Sequence, residues 1–584
     1  MNFLRNLLAA IIGSFITLGL ILFLLIMVVM SIGDDEKIIV KNNSVLEIKL
    51  DKIVKDYAPK SDDPLDEIIG TNNKKLGLNE IINAIENAKY DTNIKGISIR
   101  ALTVNAGVSQ TKAIRNKLLE FKATGKFVNA YADVYGQKAY YLASVADSIY
   151  VNPVGAIDFK GMSSEVLFLK NLQEKIGVKM EVIRHGKYKS AVEPFLENEM
   201  SADNREQITS FMNSIWNEML TDISESRNIT VKALNEIADG LLARNPKLAI
   251  ENNIVDGAIY LDEYENILKE AVGVSIRNKL NTIALRDYIS TGKGRVIGTS
   301  SNKIAVIYAQ GEIIYGKGDE NFIGQELIIN AIRKARKSNN VKAIVLRVNS
   351  PGGSALTSEL IWREIEIAKR ELPIVVSMGD AAASGGYYIA CNAHKIIAEP
   401  TTITGSIGVF GVVPNISELA ENIGVNAEQV NTNKGASYSL FEPMTDEFRA
   451  VTQEGIEFVY NTFVNRVALG RNLTVEQVKA FAQGRVWSGV EAKEKGLVDQ
   501  LGGLKDAVIE AAGLAGITDY RIHNYPSYKV DFEERFSNFP FASTKDQLLI
   551  DEFGESNYKI YKTLRQVSKI KGIQARLPYI IDIR

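Results

Sequence analysis

The chain has 584 residues, of which 46% are hydrophobic and 24% are charged. This composition excludes a disordered, collagen-like or low-complexity protein. Lysine and arginine total 68 against 70 aspartates and glutamates, so the net charge of -2 gives no electrostatic reason to expect a nucleic-acid partner. The one cysteine, Cys391, excludes an intramolecular disulfide framework and a CxxC zinc site. With three histidines and no H-E-x-x-H motif, we expect neither a metal nor another cofactor.

The N-terminal run from Leu7 to Ile32 contains no charged residue. As a helix it would rise about 39 Å, enough to cross a hydrocarbon core of about 30 Å. A secretory signal has a shorter apolar region that ends in a small-residue cleavage site, and a buried core helix is a poor alternative for an uncharged run of this length. We therefore predict a membrane anchor over residues 1–36. Arg5 before the run and three acidic residues at 34–36 favour a cytoplasmic N-terminus and an exported body.

The two halves of the chain resemble each other at a constant offset of 247 residues. The matching segments are Asn93–Arg100 with Asn340–Arg347, Tyr140–Ala143 with Tyr387–Ala390, and Ile176–Val178 with Ile423–Val425. Self-similarity at one offset indicates a duplicated domain. We predict a first repeat over residues 37–290, a linker over 291–302, a second repeat over 303–525 and a C-terminal extension over 526–584.

Each repeat has the pattern of an α/β domain. Short, β-branched apolar runs at Ile304–Tyr308, Ala343–Leu346 and Ile374–Val376 are typical of buried parallel strands. Between them, Leu327–Ala335 and Leu356–Lys369 have the apolar spacing of amphipathic helices. Alternation of strand and helix predicts parallel βαβ units in both repeats.

The second repeat has two motifs that the first lacks. One strand leads into Gly352 and Gly353, directly before a helix. Glycines at such a turn leave backbone N–H groups free to face a ligand at the N-terminus of the helix. The next strand leads to Ser384, where two glycines follow at the start of a helix. A serine there is accessible as a nucleophile, and the N–H of Gly385 can hold an oxyanion. The simpler interpretations are a tight strand–helix connection and an N-cap serine. At the position of Ser384, the first repeat has Gln137.

The first repeat has a lysine that the second lacks. Lys189, in a YKSAVEP segment, lies opposite Tyr438. Such a lysine is ordinarily a solvated surface cation. Here, however, the second repeat has the serine without the lysine and the first has the lysine without the serine, which suggests one site built from both repeats. A lysine acts as a base if burial lowers its pKa from about 10.4 to about 7–8. His185 is a weaker alternative base, and His394 is expected on the Ser384 helix about 15 Å away.

These motifs resemble a known peptidase family. GKYKSAVEPF in the first repeat and NSPGG, AASGGYYIA and TGSIGVFG in the second are similar to the long, membrane-anchored signal peptide peptidase A (protease IV) family of bacteria. The resemblance implies ClpP/crotonase-like domains, a Ser-Lys dyad and a homotetramer that encloses its active sites. It also implies cleavage of leftover signal peptides at the inner membrane, with the catalytic body in the periplasm.

The resemblance assigns roles to individual residues. Ser384 is expected to be the nucleophile, and Lys189 the general base that later gives a proton to the leaving amine. Backbone N–H groups of Gly385 and of the Gly352 and Gly353 turn are expected to hold the oxyanion, with the choice between the two glycines left open. Ser406 is expected to orient the lysine, although a serine in a turn is the plainer interpretation.

Two other functions compete with a peptidase that acts on apolar peptides. A crotonase-like acyl-CoA enzyme would share the fold but would need neither the Ser384 and Lys189 pair nor export. A non-catalytic membrane scaffold would use the duplication for assembly, and the intact pair argues against it.

Overall fold

The computed structural model describes residues 2–32, 38–58, 75–296, 298–433, 438–528 and 573–576. Helix α1 spans Asn2–Ile32. Several side chains of the predicted membrane span, including those of residues 7–9 and 25–32, lie outside the described set. Among the residues that are described, no helix combines the length and apolar composition needed to cross a bilayer. The anchor therefore stays a prediction from the sequence.

The described residues of the first half form nine strands and the helices that connect them. The strands are β1 (Ser44–Ile48), β2 (Ile53–Lys55), β3 (Lys75–Gly77), β4 (Ile94–Ile99), β5 (Phe127–Tyr135), β6 (Ser148–Ile157), β7 (Lys179–His185), β8 (Gly257–Ala258) and β9 (Asn281–Ala284). The helices are α2 (Leu78–Tyr90), α3 (Val108–Lys122), α4 (Gln137–Ala143), α5 (Lys170–Ile176), α6 (Glu193–Leu196), α7 (Ala202–Arg227), α8 (Val231–Asp239), α9 (Pro246–Glu251), α10 (Leu261–Ala271) and α11 (Leu285–Tyr288). Six of the strands form a parallel sheet in the order β8-β6-β5-β4-β1-β9.

The second half repeats this plan. Its strands are β10 (Lys303–Gln310), β11 (Glu312–Ile314), β12 (Phe322–Gly324), β13 (Val341–Ser350), β14 (Gly352–Ser354), β15 (Ile374–Ala383), β16 (Lys395–Ala398), β17 (Ile403–Gly405), β18 (Val409–Asn415), β19 (Val486–Ser488), β20 (Gln500–Leu501), β21 (Arg521–Tyr525) and β22 (Gln574–Arg576). Its helices are α12 (Gln325–Lys337), α13 (Ala355–Ala368), α14 (Gly385–Ala390), α15 (Ser417–Asn422), α16 (Asp446–Arg471), α17 (Val475–Phe481), α18 (Gly489–Glu494) and α19 (Leu504–Leu514).

The main sheet of the second half runs in the order β19-β17-β15-β13-β10-β21. Its neighbouring strands are parallel except for β17 and β19. The predicted strands lie within β10, β13 and β15, and the predicted helices lie within α12 and, except for Lys369, within α13. The predicted α/β fold with parallel βαβ units is therefore confirmed. The physical reason is burial on both faces: every residue of β10 after Lys303 is buried, which requires the continuous apolar run.

The duplication extends beyond the segments that match in sequence. α3 and α13 begin 247 residues apart, as do β5 and β15, whereas the long helices α7 and α16 begin 244 residues apart. Both long helices are followed by a C-cap asparagine with φ 54, Asn228 and Asn472. The change of offset falls in the segment that contains Lys189, so the two halves differ there in backbone as well as in side chains.

A third sheet takes strands from both halves, in the order β12-β11-β14-β22-β18-β7. β7 of the first half pairs antiparallel with β18 of the second, from His185 opposite Val409 to Lys179 opposite Asn415. This pairing holds the residues that follow β7 next to the residues that precede β18. The apolar core built mainly from residues of the first half also includes Ala383 of the second half, which lies directly before Ser384.

The predicted linker contacts the first half. The Asn87 side-chain amide of α2 donates to the backbone oxygens of Lys293 and Arg295, at 2.6 and 3.0 Å. Backbone oxygens of the predicted linker thus accept the hydrogen bonds of a side chain on α2. The domain boundaries themselves stay predictions, and the predicted extension lies outside the described residues except for 526–528 and 573–576.

Candidate active site

Ser384 lies at a sharp turn between a strand and a helix. β15 ends at Ala383, α14 begins at Gly385, and Ser384 between them has φ 54 and ψ -115. A non-glycine residue rarely adopts a positive φ, and such strained residues concentrate at functional sites. Ser384 occupies the N-cap position of α14, but its side chain makes no capping hydrogen bond. Its backbone N–H donates to the oxygen of Gly405 at 2.8 Å.

Lys189 reaches this turn from the first half. The pairing of β7 with β18 brings the residues after His185 next to the Gly405–Gly408 loop. Two glycines leave room for the lysine: a Cβ on Gly484 would lie 2.7 Å from Lys189 N, and a Cβ on Gly408 would lie 3.2 Å from Lys189 Cδ. Lys189 is 0% exposed, so the interpretation as a solvated surface cation is wrong.

The lysine and the serine are in direct contact. Lys189 Nζ donates to Ser384 Oγ at 2.8 Å, and both residues are fully buried. Removal of the ammonium from water disfavours its charged form, so burial lowers the pKa of Lys189 well below its usual value. A neutral amine within hydrogen-bond distance of a hydroxyl is the arrangement that base-assisted nucleophilic attack requires. The two half-sites identified in the sequence therefore meet.

Ser406 is the second serine on the amine. Lys189 Nζ lies 3.0 Å from Ser406 Oγ and 3.2 Å from the backbone oxygen of Ser406. Because β15 and β17 are parallel neighbours, with Ala383 opposite Gly405, the residues that follow each strand lie side by side. Ser406 has φ 50, and its N–H donates to the oxygen of Arg485 at 2.6 Å. Two oxygens of Ser406 therefore lie within hydrogen-bond distance of the amine that also contacts Ser384.

The two glycines of the predicted oxyanion turn face Gly385. Gly352 and Gly353 have φ 96 and φ 151, where an L side chain would be strained. A Cβ on Gly352 would lie 2.8 Å from Gly385 N, and a Cβ on Gly385 would lie 3.2 Å from Gly353 N. The N–H of Gly352 donates to Ser350 Oγ at 3.1 Å, so Ser350 competes for this donor. The structure thus brings all three glycines together.

A strand from the C-terminal extension lies beside these glycines. β22 pairs antiparallel with β14, with Gly353 opposite Ala575, and it also pairs with β18 at Phe410 opposite Gln574. The other edge of β14 pairs with β11 through Ile313. Both edges of β14 are therefore paired, and Ala575 is 1% exposed. The sequence showed no sign of this strand.

The histidines make their contacts away from the serine–lysine pair. His185 Nδ1 lies 2.7 Å from Glu457 Oε1, and its ring stacks on Tyr460 with the ring centres 3.7 Å apart. His394 was expected on the Ser384 helix, but α14 ends at Ala390 and His394 Nδ1 accepts the N–H of Ile374 at 3.0 Å. That expectation is wrong because the helix is shorter than the sequence suggested. Within the described ranges, no group of three metal-ligating side chains comes together.

Two segments that contact the lysine segment were not predicted from the sequence. Gln207 of α7 donates to Ser190 Oγ at 2.8 Å and accepts the N–H of Val486 at 3.2 Å, so it links the lysine segment to the second half. The oxygen of Gln483 accepts the N–H of Tyr188 at 3.1 Å. Nothing in local sequence distinguishes these residues from ordinary helix and loop positions, because their partners lie far away in the chain.

Comparison with known proteins places the chain in a family. The sequence profile of peptidase family S49 matches residues 120–275 and 366–518, one segment in each half. The chain belongs to peptidase family S49. It is a serine protease. Over 514 residues it is 37% identical to Protease 4 of Haemophilus influenzae, and the match covers 85% of this chain and 83% of the relative.

Two further likenesses are more partial. An Enterococcus faecium protein with the provisional name signal peptide peptidase SppA is 35% identical over 244 residues, or 40% of this chain and 70% of its own. The solved structure of a ClpP1 point mutant from Listeria monocytogenes is 17% identical and covers 35% of this chain and 94% of its own, with a TM-score of 0.24. The ClpP/crotonase part of the predicted fold class stays a prediction at that score.

Proposed function

We propose that this chain is a membrane-anchored endopeptidase that degrades cleaved signal peptides with one Ser-Lys dyad built from both repeats. The observation that carries the proposal is the 2.8 Å contact between Lys189 Nζ and Ser384 Oγ, both fully buried. A crotonase-like acyl-CoA enzyme would have no use for this contact, and neither would a scaffold.

In the proposed reaction, neutral Lys189 removes the proton of the Ser384 hydroxyl as its oxygen attacks the peptide carbonyl. The N–H groups of Gly385 and Gly353 hold the oxyanion of the tetrahedral intermediate. Gly353 is preferred to Gly352 because the Gly352 N–H already has Ser350 Oγ as its acceptor. Protonated Lys189 then gives its proton to the leaving amine, and the acyl-enzyme is hydrolysed by a water that the lysine deprotonates. Ser406 keeps the amine directed at Ser384 throughout.

A peptide substrate would bind as a strand along β14. Peptide recognition by addition to a strand edge supplies main-chain hydrogen bonds without regard to side chains. Since β11 pairs with one edge of β14, the substrate would take the place of Gln574–Arg576 on the other edge. The scissile carbonyl would then lie where Ala575 now faces Gly353.

The substrate class and the location belong to the same proposal. Signal peptides are supported by the motif resemblance and by the name of the Enterococcus faecium relative. Attachment to the bacterial inner membrane through residues 7–32 is supported by the uncharged run within α1. A periplasmic catalytic body is supported by the charges that flank the run, Arg5 before it and the acidic residues 34–36 after it. A homotetramer would shield the sites from folded proteins, and size-exclusion chromatography with light scattering tests it.

The test is hydrolysis of a fluorogenic, leucine-rich signal peptide by the detergent-solubilised protein. We expect Ser384→Ala and Lys189→Ala each to lower kcat/KM by at least about 10³-fold with an unchanged circular dichroism spectrum. His185→Ala is the matched control and should retain activity, because His185 contacts Glu457 and Tyr460. If Lys189→Ala cleaves normally, the proposed base is wrong. Copurification of coenzyme A without peptidase activity would favour the acyl-CoA enzyme.

A further inference from the structure

The carboxylate of Asp380 joins the strand of the serine to the first half of the chain. Asp380 lies in β15, four residues before Ser384. Its Oδ1 accepts the backbone N–H of Ser109 at 2.9 Å and of Gln110 at 3.4 Å, both in the first turn of α3. First-turn amides have no acceptor within their own helix, so a carboxylate from outside is favourable there. A Cβ on Gly107 would overlap the Asp380 carboxylate, which shows how closely the two halves approach.

The second oxygen of the same carboxylate contacts the strand that leads to the glycine turn. Asn349 Nδ2 donates to Asp380 Oδ2 at 3.3 Å, and Asn349 Oδ1 accepts the N–H of Ala381 at 3.2 Å. The pairing of β13 with β15 is irregular between Val348 and Ser350. The Asn349 side chain therefore occupies the interruption and replaces the missing backbone contact, three residues before Gly352.

We propose that Asp380 is a positioning residue that, together with Asn349, sets the Ser384 turn and the Gly352 turn relative to the half that supplies Lys189. The inference rests on the proposed role of Ser384 as nucleophile. Asp380 lies too early in β15 to touch the amine, so it acts through the backbone of the two strands. A displacement of about 1 Å between reacting groups costs about 10²-fold in rate, which makes such alignment consequential.

Hydrogen-bond donors and acceptors around the pair permit a sharp test. In Asp380→Asn, the oxygen of the new amide can still accept hydrogen bonds from the backbone N–H groups of α3. Its Nδ2 then faces Asn349 Nδ2, so that two donors oppose each other without an acceptor. Rotation of the Asn349 amide by half a turn only moves the conflict to the N–H of Ala381. In the reciprocal double variant Asp380→Asn with Asn349→Asp, the carboxylate introduced at position 349 would accept from both the new amide and Ala381, so every donor again has an acceptor.

The experiment measures kcat and KM for the signal peptide in the full-length detergent-solubilised protein, with thermal unfolding of each variant. We expect Asp380→Asn to lower kcat about tenfold or more with little change in KM, and the double variant to recover to within about threefold of the wild type. Ser214→Ala is the matched control, because it removes a 2.8 Å hydrogen bond between the halves, to Ser488, that involves neither β13 nor β15. It should retain wild-type kcat.

Two results would overturn the inference. One is an Asp380→Asn variant with wild-type kcat. The other is a folded double variant as impaired as the single one, which would mean that the carboxylate itself, not the matched pair, is required at position 380. If Asp380→Asn does not fold, the double variant decides alone, since it must recover both folding and turnover. Failure of the proposed function is distinguishable, because Ser384→Ala would then remain active in the same assay.

Discussion

Replacement of Lys189 by methionine should abolish peptide hydrolysis and also change how the stability of the protein depends on pH. The amine is fully buried, and burial lowers its pKa well below the usual value. In the unfolded chain the same lysine titrates near 10.4. Between the folded and unfolded pKa values the unfolded state binds more protons, so the stability of the wild type rises with pH in that window.

The magnitude follows from proton linkage. Each pH unit within the window changes the wild-type free energy of unfolding by about 1.4 kcal/mol, and methionine removes this contribution. The range from pH 8 to pH 10 lies below the unfolded pKa, so the wild type should gain up to about 2.5 kcal/mol there relative to Lys189→Met. The hydroxyls of Ser384 and Ser406 lose their donor in the variant, which costs about 1–3 kcal/mol but hardly varies over this range. The slope with pH, not the absolute difference, is thus diagnostic.

The assay is thermal unfolding of both proteins at several pH values between 8 and 10, at one scan rate because large proteins often unfold irreversibly. Lys187→Met is the control: Lys187 is exposed two residues away, so its replacement should give no such slope. A difference in Tm between wild type and Lys189→Met that stays constant with pH would refute the reasoning. It would mean that burial does not lower the pKa of the Lys189 amine.

Three further predictions concern the surroundings of the lysine and the strand that pairs with β14. Ser406→Ala removes one acceptor at 3.0 Å from Lys189 Nζ and should lower kcat about 10- to 100-fold with little effect on KM, measured by steady-state hydrolysis. Gly484→Ala should abolish activity in the same assay because its Cβ would lie 2.7 Å from Lys189 N. Gly496→Ala is the control: Gly496 also has a positive φ, 73, but no atom lies within 4 Å of the added Cβ, so this variant should lose only about 1 kcal/mol of stability. Termination after Gly572 removes β22 and should lower KM severalfold in the same assay; an unchanged KM would show that substrate does not displace it.

The sequence supports the local parts of the fold and of the site. Runs such as Ile304–Tyr308 predict strands because both faces of the parallel sheet are buried, and burial on both faces demands apolar residues throughout. Ser384 and the glycines Gly352 and Gly353 could be identified because a strand, a turn and a helix follow one another within a few residues. Chemistry that depends on neighbouring residues is accessible to pattern analysis.

Long-range contacts are much less accessible. Lys189 and Ser384 are 195 residues apart, and their contact depends on the pairing of β7 with β18. Besides the family resemblance, only the comparison of the repeats indicated that they meet, because each repeat keeps one of the two residues and lacks the other. β22 shows the limit more clearly, since three residues with no distinctive pattern complete a sheet whose other strands lie far away in the chain. The C-terminal residues could not be placed there from periodicity, because a strand of three residues has almost none.

The most direct test of the central claim compares Ser384→Ala, Lys189→Ala and the double variant in one hydrolysis assay. If the two residues from the two repeats form one catalytic unit, either single replacement removes nearly all that both contribute. The account therefore predicts that kcat/KM of the double variant equals that of the single variants within about threefold. Losses that multiply in the double variant would contradict it, because they would mean that Ser384 and Lys189 act independently.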